Sequence, residues 1–148
     1  MMDTLIFHLD AERFGIVAAD VVEAVRAVMI AALPKAPPIV EGVINFRGRI
    51  LPVLDIRARF GLPAKPLEPN DYLIIARTSN RVVALRVDRV SDFVSIADSD
   101  IVPAGDVPSI GAMVAGVAKL PDGLVIIHDF VAFLSATEAA ALDVLAPV

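Results

Sequence analysis

Two histidines, two similarly placed aspartates and a run of arginines are the residues of this chain that could do chemistry. His8 and His128 sit inside apolar runs, Leu5-Ile6-Phe7-His8-Leu9 and Leu124-Val125-Ile126-Ile127-His128. A metal site needs several ligands at matched spacing, and two isolated histidines in a chain without cysteine do not supply one. Neither histidine is accompanied by a G-x-S-x-G nucleophile turn, and no G-x-G-x-x-G or Walker A phosphate loop is present. Both histidines therefore read as structural. Asp55 and Asp129 could pair as general acid and base. Each also precedes a helix-like stretch, and a capping carboxylate is the preferred reading. Arg47, Arg49, Arg57 and Arg59 form the densest positive stretch. Such runs are often a solvated face. The sharper reading is that Arg47 makes an oriented ion pair at a binding surface, because its planar fork can hold a carboxylate at two points. Glu23 is the candidate partner. The chemistry on offer is recognition rather than catalysis.

The elements that must position these residues are mostly strands. Leu5 to Leu9 and Phe14 to Val17 read as a hairpin turning at Asp10 to Arg13. From Ala18 to Met29, the apolar residues Val21, Val22, Val25, Val28 and Met29 follow helical spacing for about two turns. Their β-branching opposes a helix, so a short helix running into a strand is expected. Valines of this kind are usually core, although the apolar surplus leaves room for an exposed patch. Pro34, Pro37 and Pro38 enforce an extended connection. Glu41 to Ile56 reads as two apolar strands joined by a tight turn at Gly48. Asp55 to Gly61 reads as a short capped helix. Residues 63–70 form a polar linker. Tyr72 to Ala76 and Arg81 to Val87 make another hairpin around Thr78-Ser79-Asn80, and Val90 to Ile96 a further strand. Asp98 to Ile110 reads as an irregular loop. Val114 to Lys119 and Leu124 to His128 pair around Pro121-Asp122-Gly123. Ser135-x-x-Glu138 is a capping box ahead of the helix Ala139 to Leu145.

The chain repeats itself weakly. Leu5, Phe14 and Val22 share offsets with Leu73, Val82 and Val90, and Gly42 to Asp55 and Gly116 to Asp129 each span 13 positions. Two related lobes are expected, dividing around 63–71, with elements free to exchange between them. Short strands closing into small barrels would remove exposed edges.

Composition narrows the function classes. The 148 residues suit one domain or two small lobes on a shared core. Hydrophobic residues make up 57%, only 5% are aromatic, and mean hydropathy is +0.73. The longest helix-like apolar run, Ala27 to Leu33, falls far short of the roughly 20 residues of a membrane span. A large aliphatic core and some apolar partner surface are both expected. The net charge of −5 gives no footprint for nucleic acid. The start, Met1-Met2-Asp3-Thr4, lacks the basic region of a secretory signal, and the absence of cysteine is compatible with the cytoplasm.

The segment Gly42-Val43-Ile44-Asn45-Phe46-Arg47-Gly48-Arg49-Ile50-Leu51-Pro52-Val53-Leu54-Asp55 resembles the G-V-x-N-L-R-G-x-I-x-P-V-x-D-L segment of the CheW-like family, the coupling proteins of bacterial chemosensory arrays. Phe46 and Ile56 replace leucines, and Val90-Ser91-Asp92 matches the family's V-S-D. The resemblance runs from about Leu5 to Leu145. It implies a mainly β fold of two five-stranded SH3-like barrels around a shared core, with short helices and a C-terminal helix. It also implies a scaffold without activity or cofactor, bridging the cytoplasmic tip of methyl-accepting chemotaxis receptors to the regulatory domain of the histidine kinase CheA. Carried over by position, Arg47, Glu23 and Val21 fall on the receptor groove, with Asn45 and Gly48 beside them in the motif. At this length a stand-alone coupling protein is expected, rather than a piece of CheA or CheV. A related coupling role outside chemotaxis (surface motility, biofilm or second-messenger control) is the alternative, and a small hydrolase using Asp55 or Asp129 a remote one.

Overall fold

β-Branched residues fill the apolar runs, and a computed structural model, describing residues 1–77, 81–106 and 114–129, folds them into eleven strands. These are β1 (Met2–Leu9), β2 (Glu12–Val17), β3 (Val21–Arg26), β4 (Val40–Phe46), β5 (Arg49–Asp55), β6 (Tyr72–Arg77), β7 (Val82–Val87), β8 (Arg89–Ile96), β9 (Ile101–Pro103), β10 (Val114–Leu120) and β11 (Gly123–His128). The chain is mainly β. One sheet runs β8-β1-β2-β11-β10-β9 and the other β3-β6-β7-β5-β4. The strand beyond five is β9, which lies in the stretch expected to be an irregular loop. It pairs antiparallel with β10, placing Pro103 opposite Gly116. The expected C-terminal capping box and helix lie outside the described residues, as does the Thr78–Asn80 turn.

The two sequence halves interleave. Hairpin β1–β2 sits between β8 and β11, while hairpin β6–β7 sits between β3 and β5. The joins β2/β11 and β5/β7 are parallel, and the remaining pairings are antiparallel. The central strands are buried on both faces. Along β7, Val83, Leu85 and Val87 enter a core shared by the sheets, while Val82 and Ala84 enter a core private to the second sheet. β1 divides in the same way, with Leu5, Phe7 and Leu9 facing the shared core and Ile6 facing the first sheet's own. Two-sided burial accounts for the high hydropathy, since each fully buried aliphatic side chain contributes about 1.5–3 kcal/mol. The apolar surplus also reaches the surface at Val22, Val28, Met29, Ile50, Phe93 and Leu124.

Both short helices expected in these halves are single 3-10 turns. The Ala18–Met29 stretch is helical only in a 3-10 turn at Ala18–Asp20, and β3 follows at once. Cross-strand partners in β6 hold it extended, with Glu23 opposite Ile75 and Val25 opposite Leu73. The helix after Asp55 is likewise one 3-10 turn, Ala58–Phe60, ended by Gly61 in the left-handed region. Asp55 does not cap that turn directly. Its Oδ1 accepts from the Arg57 amide at 3.0 Å, a local side-chain turn that leads into it.

Arg57 is 3% exposed, which removes it from the surface arginine run. Its guanidinium donates to Asp10 Oδ1 at 2.6 Å, to both Asp88 oxygens at 3.1 Å and to the Pro63 carbonyl at 2.7 Å. Asp10 turns β1 into β2 and Arg57 follows β5, so this cluster ties one sheet to the other. Burial alone would raise the Asp88 carboxyl. The Asp10 amide, Lys65 and Arg57 outweigh it and hold that carboxyl below its ordinary value. A second buried arginine, Arg86 on β7, reaches Glu41, Asp71 at 3.3 Å, Asp55 at 3.8 Å and the Lys65 carbonyl at 2.7 Å. Lys65, in the linker, lies 3.5 Å from Asp88 and 3.9 Å from Asp71 and joins the two clusters.

Candidate partner-binding site

The β4–β5 hairpin turns on two residues, with Phe46 opposite Arg49. Arg47 has φ +51° and Gly48 φ +84°. Two successive positive φ values give the primed turn whose twist matches its strands. Glycine occupies this region freely, whereas a side-chain-bearing residue pays roughly 1–2 kcal/mol to sit there. Asn45 stabilises the turn by accepting the Gly48 amide on Oδ1 at 2.9 Å. The motif residues Asn45 and Gly48 thus shape the loop that carries Arg47 at its tip.

The Arg47 guanidinium lies 4.9 Å from the centre of the Phe46 ring. Its Nη2 also approaches Glu23 Oε2 to 2.6 Å. That oxygen receives no directed hydrogen bond, so the contact is an ion pair without N–H alignment. The Arg47 side chain stays 69% exposed and that of Glu23 33%. Glu23 lies on β3 and Arg47 on the β4–β5 turn, which belong to opposite ends of the sheet order. The pair therefore spans the curled sheet. Val25 and Phe46 flank the same private core beneath it. Val21, two residues before Glu23, is half-buried against the shared core, and a bulge separates the two. The structure thus brings Glu23, Asn45, Arg47 and Gly48 into one constellation, with Val21 along the same strand.

The other candidates separate. Asp55 is held by the Arg57 amide and Arg86. His128 is 2% exposed with its ring edge-on to Phe60 at 5.6 Å, and burial pushes its pKa down to about 4 against the opposing charge of Asp129. Sequence reading missed one contact: His8 Nε2 lies 2.8 Å from Ser91 Oγ. It is not a catalytic pair in the triad sense. Burial and the charges of Arg89 and Arg13 lower the imidazole pKa, with Asp88 opposing. Arg89 stands 3.4 Å from Nδ1, where a triad needs a carboxylate. Arg86 was also missed, although an arginine inside the apolar run Val82 to Val87 signals buried carboxylate partners. Among the described residues no group of three or more His, Asp or Glu could hold a metal ion.

A family model for the CheW-like domain matches residues 3–138. The chain belongs to the CheW-like family. A chemotaxis protein CheW of Klebsiella aerogenes is 31% identical over 141 residues, covering 94% of this chain and 85% of that protein. One from Rhizobium meliloti is 44% identical over 77 residues, covering 52% of this chain and half of its own length. The crystal structure of the scaffolding protein TtCheW from Thermoanaerobacter tengcongensis superposes with a TM-score of 0.78 at 34% identity, covering 86% of this chain and 88% of that one. The CheW-like fold is thus shared at the level of both sequence and structure.

Proposed function

We propose that this CheW-like chain is a non-catalytic adaptor that couples the cytoplasmic tip of methyl-accepting chemotaxis receptors to the regulatory domain of the kinase CheA. It would act in the cytoplasm and reach membrane-associated arrays through its partners. Among the described residues no helix is long and apolar enough to cross a membrane. One observation carries the receptor half of the reading. Arg47 is held at positive φ on a two-residue turn, steadied by Glu23 and Phe46, yet stays mostly exposed. A side chain kept in a costly backbone conformation without being buried is presented rather than packed. The receptor would engage Arg47, Glu23 and the Val21 strand, with Asn45 and Gly48 fixing the turn.

Arg47→Ala should weaken binding to a receptor cytoplasmic fragment while leaving the fold intact, because an exposed pair contributes about 0–1 kcal/mol to stability. Isothermal titration with the fragment, alongside urea denaturation of the variant, reads both. Unchanged affinity with an intact fold would remove Arg47 from the receptor surface.

A further inference from the structure

The internal repeat relates the Glu23–Arg47 contact to a second place in the molecule. Val22 corresponds to Val90 and Gly42 to Gly116, so Ser91 stands where Glu23 would be and Pro121 where Arg47 would be. β8 and β3 are both outer strands of their sheets, each carrying a bulge. The β10–β11 and β4–β5 turns have matching registers. In the first sheet the bridging ion pair is therefore absent, and a cavity of about 480 Å³ opens between β8 and the β10–β11 turn.

Its apolar lining comes from Ile6, Val94, Leu120 and Pro121. Arg13 lines one wall but is occupied, donating to both oxygens of Asp122 at 3.0 and 3.2 Å. Ser91 is occupied by His8. Two charges facing the cavity remain. Among the described residues Arg89 meets the His8 ring at 3.4 and 3.5 Å, and neither Arg89 nor Asp92 has an ion-pair partner. β8 pairs with β1 alone among the described strands, and Phe93, opposite Leu5 on β1, is 59% exposed. An outer strand offers backbone donors and acceptors that an added strand can use.

We propose that this cavity and the adjoining edge of β8 form a docking site for an extended segment of a partner protein carrying one acidic and one basic side chain, the acid received by Arg89 and the base by Asp92. Charge complementarity selects the occupant. A purely acidic segment would meet Asp92 and the net charge of −5, and a purely basic one would meet Arg89. A cavity that opens along a strand edge suits a chain that continues past it. The site is separate from the Arg47 surface and does not depend on the receptor reading.

The test titrates isotope-labelled protein with three probes, followed by amide chemical shifts. The first is a capped eight-residue threonine–valine peptide carrying glutamate and lysine two positions apart. The second has glutamine at both positions, and the third is succinate. The charged peptide should shift the amides of Ile6, Arg13, Ser91 and Val94 and bind about tenfold more tightly than the glutamine peptide. Arg89→Glu and Asp92→Lys should each erase that preference, and the double variant should regain it for the peptide with its charges exchanged. Equal affinity for both peptides, shifts centred on Glu23 and Arg47, or no shifts at millimolar peptide would overturn the proposal. Succinate reproducing the same shifts at the same affinity would make the cavity a small-acid site and overturn it too. Both side chains are exposed, so collapse of the Arg89→Glu spectrum would show a structural role and also count against it.

Discussion

Arg47 shows how little of a residue's setting is visible in its neighbours along the chain. Its partner Glu23 is named by the family resemblance, and the structure supplies why the pair forms: a primed turn, an asparagine acceptor and a phenylalanine under the guanidinium. The buried arginines were not legible in this way. Arg57 meets Asp10 and Asp88, 47 and 31 positions away, and no local pattern announces such partners. His128 yields a prediction at the same scale. Its pKa falls from 6.5 to about 4 on folding because burial disfavours the charged ring. Below pH 6.5 the unfolded state takes up the proton first. The neutral ring's contribution is therefore complete above pH 6.5 and is lost as pH falls toward 4, amounting to roughly 3 kcal/mol. Urea midpoints at pH 7 and pH 5 should show about half of this loss, and His128→Phe should flatten it. An unchanged slope in that variant would assign the pH dependence to the carboxylates.

At the scale of elements, hairpins and turns were readable because alternation and Gly, Pro or Asp punctuation are local signals. At Ala18–Met29 a helical spacing meets β-branched side chains, and the expected short helix running into a strand forms as one 3-10 turn because pairing with β6 holds the rest extended. β9 was hidden because three residues carry no periodicity, and only β10 makes them a strand. The two repeat glycines mark the same device. Each lies just past a bulge, and each lets a neighbouring backbone approach. A Cβ on Gly42 would collide with the Ala31 carbonyl oxygen, and one on Gly116 would stand 2.6 Å from that of Val102. Neither backbone can yield as a flexible side chain would. Gly42→Ala and Gly116→Ala should each destabilise by about 1–3 kcal/mol, with Gly42 the costlier. Thermal melts of the two variants rank them, and a neutral Gly42→Ala would contradict the close approach.

The whole molecule rests on a core shared by two interleaved sheets and on the ionic cluster beside it. The repeat pointed to two related lobes, but the pairing of each half's first hairpin with strands of the other half comes from contacts far apart in sequence. Arg57→Met would leave the exposed Asp10 and the half-buried Asp88 facing one another, with Lys65 as the remaining cation. Removing one partner of a buried ionic cluster costs about 3–5 kcal/mol, and the urea midpoint should fall accordingly. A loss below about 1 kcal/mol would mean that the packed core alone holds the sheets together. The central claim is that one chain bridges two proteins through separate surfaces. Its most direct test is co-elution of a receptor cytoplasmic fragment with the CheA regulatory domain in the presence of this chain or its Arg47→Ala variant. A three-part complex is expected with the natural chain and a two-part complex, chain with kinase domain, with the variant. Failure of the natural chain to bind either partner at tens of micromolar, or retention of the receptor fragment by a folded Arg47→Ala variant, would contradict it.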